Sequence, residues 1–120
     1  MAVKQILCVE DHADTCELIS LVLKEFTVIS ASTVAEAVRK AAAQKFHTYL
    51  IDFHLPDGNG FELASRIRTF DAETPILFVT GTSSISEAQA LERGANGLIK
   101  KAGLRFIEEL REKVSQLLLS

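Results

Sequence analysis

Cysteine is scarce in this chain: Cys8 and Cys16 are the only two in 120 residues. They have neither CxxC spacing nor histidine-rich surroundings, so a thiolate metal site is not expected. Cys8 falls in an apolar run and Cys16 in a helical pattern, which fits reduced thiols in a cytoplasmic protein. Long apolar runs are missing as well. No stretch approaches the roughly 18 residues of a membrane span. The N-terminus, MAVKQILCVED, reaches acids too soon for a signal peptide. A strong excess of one charge is also missing: a net charge of −3 offers nothing to nucleic acid or to an anionic membrane. No repeat or low-complexity linker divides the chain, and 120 residues suit one domain with a real core, residues 1–120.

What the chain does have is alternation. Five short apolar runs, at 6–9, 26–29, 49–53, 76–79 and 98–99, are each followed by a helical pattern. After the first run Asp14 is the expected N-cap, with Glu17 three residues on, and Leu18, Ile19, Val22 and Leu23 share a helical face. Thr33 and Glu36 repeat that spacing before a helix burying Val34, Ala37, Val38 and Ala41. The third helix carries Leu63, Ala64, Ile67 and Phe70, and a shorter fourth runs through 87–93. The last shows Ile107, Leu110, Val114, Leu117 and Leu118. Short apolar strands separated by helices call for a parallel sheet covered on both faces. With right-handed crossovers the result is a doubly wound α/β sandwich.

Ligands of such sheets bind at the carboxyl ends of the strands. Glu10 and Asp11 follow the first run, Asp52 stands in the third before the turn at 56–60, Thr80 ends the fourth, and Lys100 and Lys101 follow the fifth. Each residue alone has an ordinary explanation, as a helix-end charge, a backbone-bonded hydroxyl or a solvated lysine. Together they make one polar cluster at one edge. Clustered carboxylates raise each other's pKa unless a cation neutralises them, and Mg²⁺ suits a few carboxylates with retained waters. Asp52 can then remain ionised and attack phosphorus, forming an acyl phosphate. Mg²⁺, the Thr80 hydroxyl and the Lys101 ammonium would take the three phosphoryl oxygens.

The acidic pair at 10–11, DFHLPDGNG at 52–60, VTG at 79–81 and GANGLIKKA at 94–102 resemble the receiver domains of two-component response regulators. The resemblance covers essentially the whole chain. It implies a flavodoxin-like (βα)5 sandwich of strand order 2-1-3-4-5. Asp52 would be the phosphoacceptor, charged from a phosphohistidine on a histidine kinase or a phosphotransfer protein. Glu10, Asp11, Asp52 and the backbone carbonyl of His54 would surround Mg²⁺, while Thr80 and Lys101 would hold the phosphoryl group. His54 and Thr82 would flank the path of the attacking water in a slow self-dephosphorylation. The output partner stays open, as does the choice between a stand-alone receiver and part of a longer regulator.

Counting from GAN against the family pattern selects Lys101, and strand alternation turns Lys100 away. Leu98 replaces the usual aromatic and Ala102 the usual proline, which leaves the chemistry intact and alters the usual conformational readout. His12 and His47 have no ligand spacing, and Gly58 and Gly60 are expected to serve turn geometry. A Mg²⁺-dependent aspartyl-phosphate phosphohydrolase is the rival reading, but such enzymes place the nucleophile in a DxD motif after the first strand, where this chain has VEDHAD. A flavin-binding module is disfavoured because acids stand where a phosphate loop would be.

Overall fold

The computed structural model describes residues 3–81 and 85–119. Its elements run β1 (Gln5–Val9), α1 (Ala13–Val22), β2 (Thr27–Ala31), α2 (Val34–Ala43), β3 (Thr48–Asp52), β4 (His54–Leu55), β5 (Gly58–Asn59), α3 (Gly60–Arg68), β6 (Ile76–Thr80), α4 (Glu87–Glu92), β7 (Gly97–Lys100) and α5 (Phe106–Leu119). Five strands form one parallel sheet in the order β2-β1-β3-β6-β7. Counted without the short pair β4–β5, this is the expected order 2-1-3-4-5. That pair is a separate antiparallel ribbon between β3 and α3, where the sequence reads only as a turn.

Strand alternation explains why the runs are apolar throughout. Leu7, Val9, Tyr49, Ile51, Ile76, Phe78 and Leu98 point to one layer, with Val34, Ala37, Leu63, Ile67 and Ala90 of α2, α3 and α4. Ile6, Cys8, Leu50, Leu77, Val79 and Ile99 point to the other, with Ile19, Val22, Leu110, Val114 and Leu118 of α1 and α5. All five residues of β3 are buried. Each buried aliphatic side chain contributes about 1.5–3 kcal/mol over its exposed state, so the sheet is held from both sides. No described helix is long and apolar enough to cross a membrane.

Some expected positions shift, for local reasons. α1 begins at Ala13 with His12 at its N-cap, not Asp14, which lies in the first turn. The Glu10 carboxylate reaches forward to accept the His12 amide N–H at 3.2 Å, just before the helix. Leu18 is exposed because the buried stripe of α1 passes through Ile19 and Val22. Phe70 lies past the end of α3 and Ile107 in the first turn of α5, and both are exposed. Phe26 is buried but belongs to the turn before β2, its N–H bonded to Leu23 O at 2.9 Å. The caps Thr33, Asn59 and Ser86 each accept the N–H of the residue three positions on. Gly58 and Gly60 do not have positive φ. Gly60 is instead a close approach: a Cβ there would stand 3.0 Å from the Phe78 ring. At β7, a terminal strand of the sheet, the Lys113 ammonium of α5 donates to Leu98 O at 3.0 Å.

Candidate functional site

The parallel sheet delivers its strand ends to one edge, and the order reverses beside β1 and β3, where such sheets open a crevice. Glu10 leaves β1 there, its N–H paired with Ala31 O at 2.9 Å. Asp52 is the last residue of β3 and Thr80 the last of β6. Lys101 follows β7, positioned by its N–H bond to Thr80 O at 2.8 Å. Glu10 (4% exposed), Asp52 (6%) and Thr80 (0%) are the charged or hydroxyl side chains buried at this edge.

The Lys101 ammonium lies 2.5 Å from Glu10 Oε1 and 3.3 Å from Asp52 Oδ1. Lys100 instead is exposed and lines a cleft between α4 and α5 with Glu87, Leu98 and Phe106. Adjacent residues thus face opposite sides, as a strand requires. Glu10, Asp11 and Asp52 bring carboxylate oxygens, with a His12 ring nitrogen, within 4.8 Å of one another. His12 Nδ1 is 3.2 Å from both Glu10 Oε2 and Asp11 Oδ1. Sequence reasoning assigned His12 no partners; its position directly after two site acids was the available signal. A cleft of about 480 Å³ opens here, lined by Asp11, His12, Asp52, His54, Leu55, Pro56, Gly81 and Lys101. Thr80 is buried at the end of β6, next to Gly81 of that lining, and Thr82 falls outside the described residues. The His54 imidazole packs edge-on against the Phe53 ring, 5.1 Å between centroids.

The electrostatics are unequal. Asp52's carboxyl is held above its ordinary value by burial and then by the neighbouring Glu10 charge, and Lys101 offsets only part of this. Burial acts the same way on Glu10, but the Lys101 ammonium and the His12 amide outweigh it, so Glu10 lies below its usual range. Lys101, although penalised by burial, is pushed upward by hydrogen bonding to Glu10 and by the Asp52 charge. His12 is raised by its hydrogen bond to Glu10 and by the Asp11 charge. Such a set of hard oxygen donors with one carboxylate short of compensating charge suits a small divalent cation.

The family model of the response regulator receiver domain matches residues 6–115. The chain belongs to that family. The receiver domain is 32% identical to the transcriptional regulatory protein CssR of Bacillus subtilis over 115 residues, covering 94% of this chain and 50% of that protein. It is 33% identical to the transcriptional regulatory protein KdpE of Mycobacterium tuberculosis over 98 residues, covering 80% of this chain and 43% of that one. The chain therefore spans about half the length of these curated relatives. Among solved structures, a putative response regulator from Chloroflexus aurantiacus superposes with a TM-score of 0.87 at 27% identity, covering 99% of this chain and 100% of that one. The chemotaxis protein CheY4 of Vibrio cholerae gives 0.86 at 27% identity, with 98% and 100% covered. This receiver domain is thus a signalling module of two-component response regulators, which leaves the phosphohydrolase and flavin-binding readings without support.

Proposed function

We propose that Asp52 is the phosphoacceptor of this receiver domain and takes its phosphoryl group from a phosphohistidine of a histidine kinase or a histidine phosphotransfer protein. The observation that carries the reading is the single ammonium, Lys101, lying on both Glu10 and Asp52 at the mouth of an open cleft. An Asp52 oxygen attacks phosphorus, the P–N bond of the donor breaks, and its electron pair stays on the leaving imidazole. Lys101 then has a phosphoryl oxygen to neutralise in place of the Asp52 carboxylate, and the Thr80 hydroxyl supplies a second donor. Glu10, Asp11, Asp52 and the His54 carbonyl would hold Mg²⁺. When bound, that ion supplies positive charge for the phosphoryl oxygens. The donor chemistry implies a cytoplasmic protein whose phosphorylated state is read by an output domain or a separate protein, with slow self-dephosphorylation resetting it.

Incubation with acetyl phosphate and Mg²⁺, followed by intact mass measurement, tests this. One phosphoryl group is expected on the wild type and none on Asp52→Asn. Lys101→Ala should label about 100–1,000-fold more slowly, the scale of losing one preorganised donor at a transition state, and Lys100→Ala at the wild-type rate. Labelling that persists in Asp52→Asn would refute the assignment.

A further inference from the structure

One wall of the site cleft comes from a segment outside the five-stranded sheet. It is formed by His54, Leu55 and Pro56, which belong to the β4–β5 ribbon and its turn. A two-residue ribbon has little stability of its own, so something must hold it. At its base Gly60 N–H bonds to Phe53 O at 2.7 Å. At its tip the Asp57 carboxylate reaches across to another element. Oδ1 accepts the Val34 N–H at 2.7 Å and Oδ2 accepts the Ala35 N–H at 3.0 Å. These are the first two amides of α2, groups that have no partner inside the helix. The third, Glu36 N–H, is taken by Thr33 Oγ1 at 3.0 Å. The start of α2 is therefore completed by two residues with different reach: Thr33 is local, and Asp57 comes from the cleft wall. The ribbon sits close on that helix, since a Cβ at Gly58 would stand 3.2 Å from Val34 Cγ2.

We propose that Asp57 is a positioning residue: by fastening the tip of the ribbon to the amides of α2, it sets the wall of the phosphoacceptor cleft, including the backbone at His54. The proposal rests on the reading of Asp52 given above. Val34 and Ala35 hold the Asp57 carboxyl below its ordinary value, as two amide donors on one carboxylate do. The geometry also separates this role from that of a simple helix cap. Removing Thr33 Oγ1 weakens the start of α2 without releasing the ribbon, whereas removing the Asp57 carboxylate does both.

The experiment is a Mg²⁺ titration of the full chain followed by amide NMR shifts, together with the Mg²⁺ dependence of labelling by acetyl phosphate. In Asp57→Ala the Mg²⁺ concentration for half-saturation should rise about tenfold, the scale of losing an outer residue that orients a metal ligand. The maximal labelling rate should change much less. Asp57→Asn keeps an acceptor oxygen and should lie within about threefold of wild type, and Thr33→Ala should leave half-saturation where it was. Equal half-saturation in wild type and Asp57→Ala would overturn the proposal, as would an equal rise in Thr33→Ala, which would reduce Asp57 to a helix cap. If the wild type itself neither binds Mg²⁺ nor labels, the Asp52 reading fails first, a result distinct from normal labelling in Asp57→Ala.

Discussion

Two aspartates at opposite ends of the same sheet lead opposite lives. Asp71, at the amino end, accepts the Tyr49 hydroxyl at 2.8 Å and the Thr74 and Glu73 amides at 3.0 and 3.3 Å. Burial alone would raise its carboxyl, but these donors, led by Thr74, pull it down to about 2. Asp52, at the carboxyl end, shares one ammonium with Glu10 and is held above its ordinary value. Nearby, Thr48 donates its hydroxyl to Pro75 O at 2.9 Å, so the amino end is closed by neutral donors as well. The difference shows how one residue type serves two purposes. A carboxylate wrapped in neutral N–H and O–H donors is a structural fastening. One placed beside another carboxylate, with a cleft in front of it, is left to be completed by a ligand.

That contrast can be broken most sharply at Asp71. Asp71→Ala removes the acceptor of the Tyr49 hydroxyl and of the Thr74 and Glu73 amides, and should cost about 2 kcal/mol, the scale of lost buried hydrogen bonds, by urea denaturation. Labelling by acetyl phosphate should stay at wild-type levels; a loss would show that the two ends are not separable. A smaller effect lies in the acid limb of stability. Asp71, lowered when folded, contributes stability that is present above its ordinary value near 3.8 and lost as pH falls toward 2. Asp52, raised when folded, has the opposite sign: its contribution is present below its ordinary value and lost as pH rises through the folded value. Melting temperatures between about pH 2 and 6 should therefore fall less steeply on acidification in Asp71→Asn. In Asp52→Asn they should rise at the upper end. Glu10 carries the same sign as Asp71, so Asp71→Asn should flatten the limb only in part. The smallest effect concerns Cys16, whose thiol is lowered to about 7, first by hydrogen bonding with Cys8. Its alkylation by iodoacetamide should show a midpoint near that value, moving upward in Cys8→Ala, which removes the donor, while buried Cys8 stays protected in the wild type.

The fold was legible because alternation and helical spacing report burial directly. Leu7 and Cys8, adjacent in sequence, go to opposite layers, and a strand apolar at both kinds of position belongs inside a covered sheet. That Glu10, Asp52, Thr80 and Lys101 stand together at one edge of the sheet was readable from which residue ends each run. What was not readable depends on which side chain takes which amide. Glu10 accepts the His12 amide two residues on, beside a helix start at Ala13 that spacing alone had put at Asp14. The partnership of Asp57 with α2 spans 23 residues, and PDG reads as an ordinary turn until the helix is seen beside it. Leu18, Phe70 and Ile107 were placed inward by spacing alone, which says where a residue lies around a helix but not where the neighbouring layer ends.

The lysine fastened over β7 has a consequence for how copies of this chain can meet. β7 is a terminal strand of the sheet, and a bare edge of that kind invites another strand to add to it. With Lys113 already donating to Leu98 O, a second sheet would have to strip an ammonium from its acceptor before it could pair there. The bond thus disfavours continuous backbone pairing at Leu98, the kind of contact that tends to propagate.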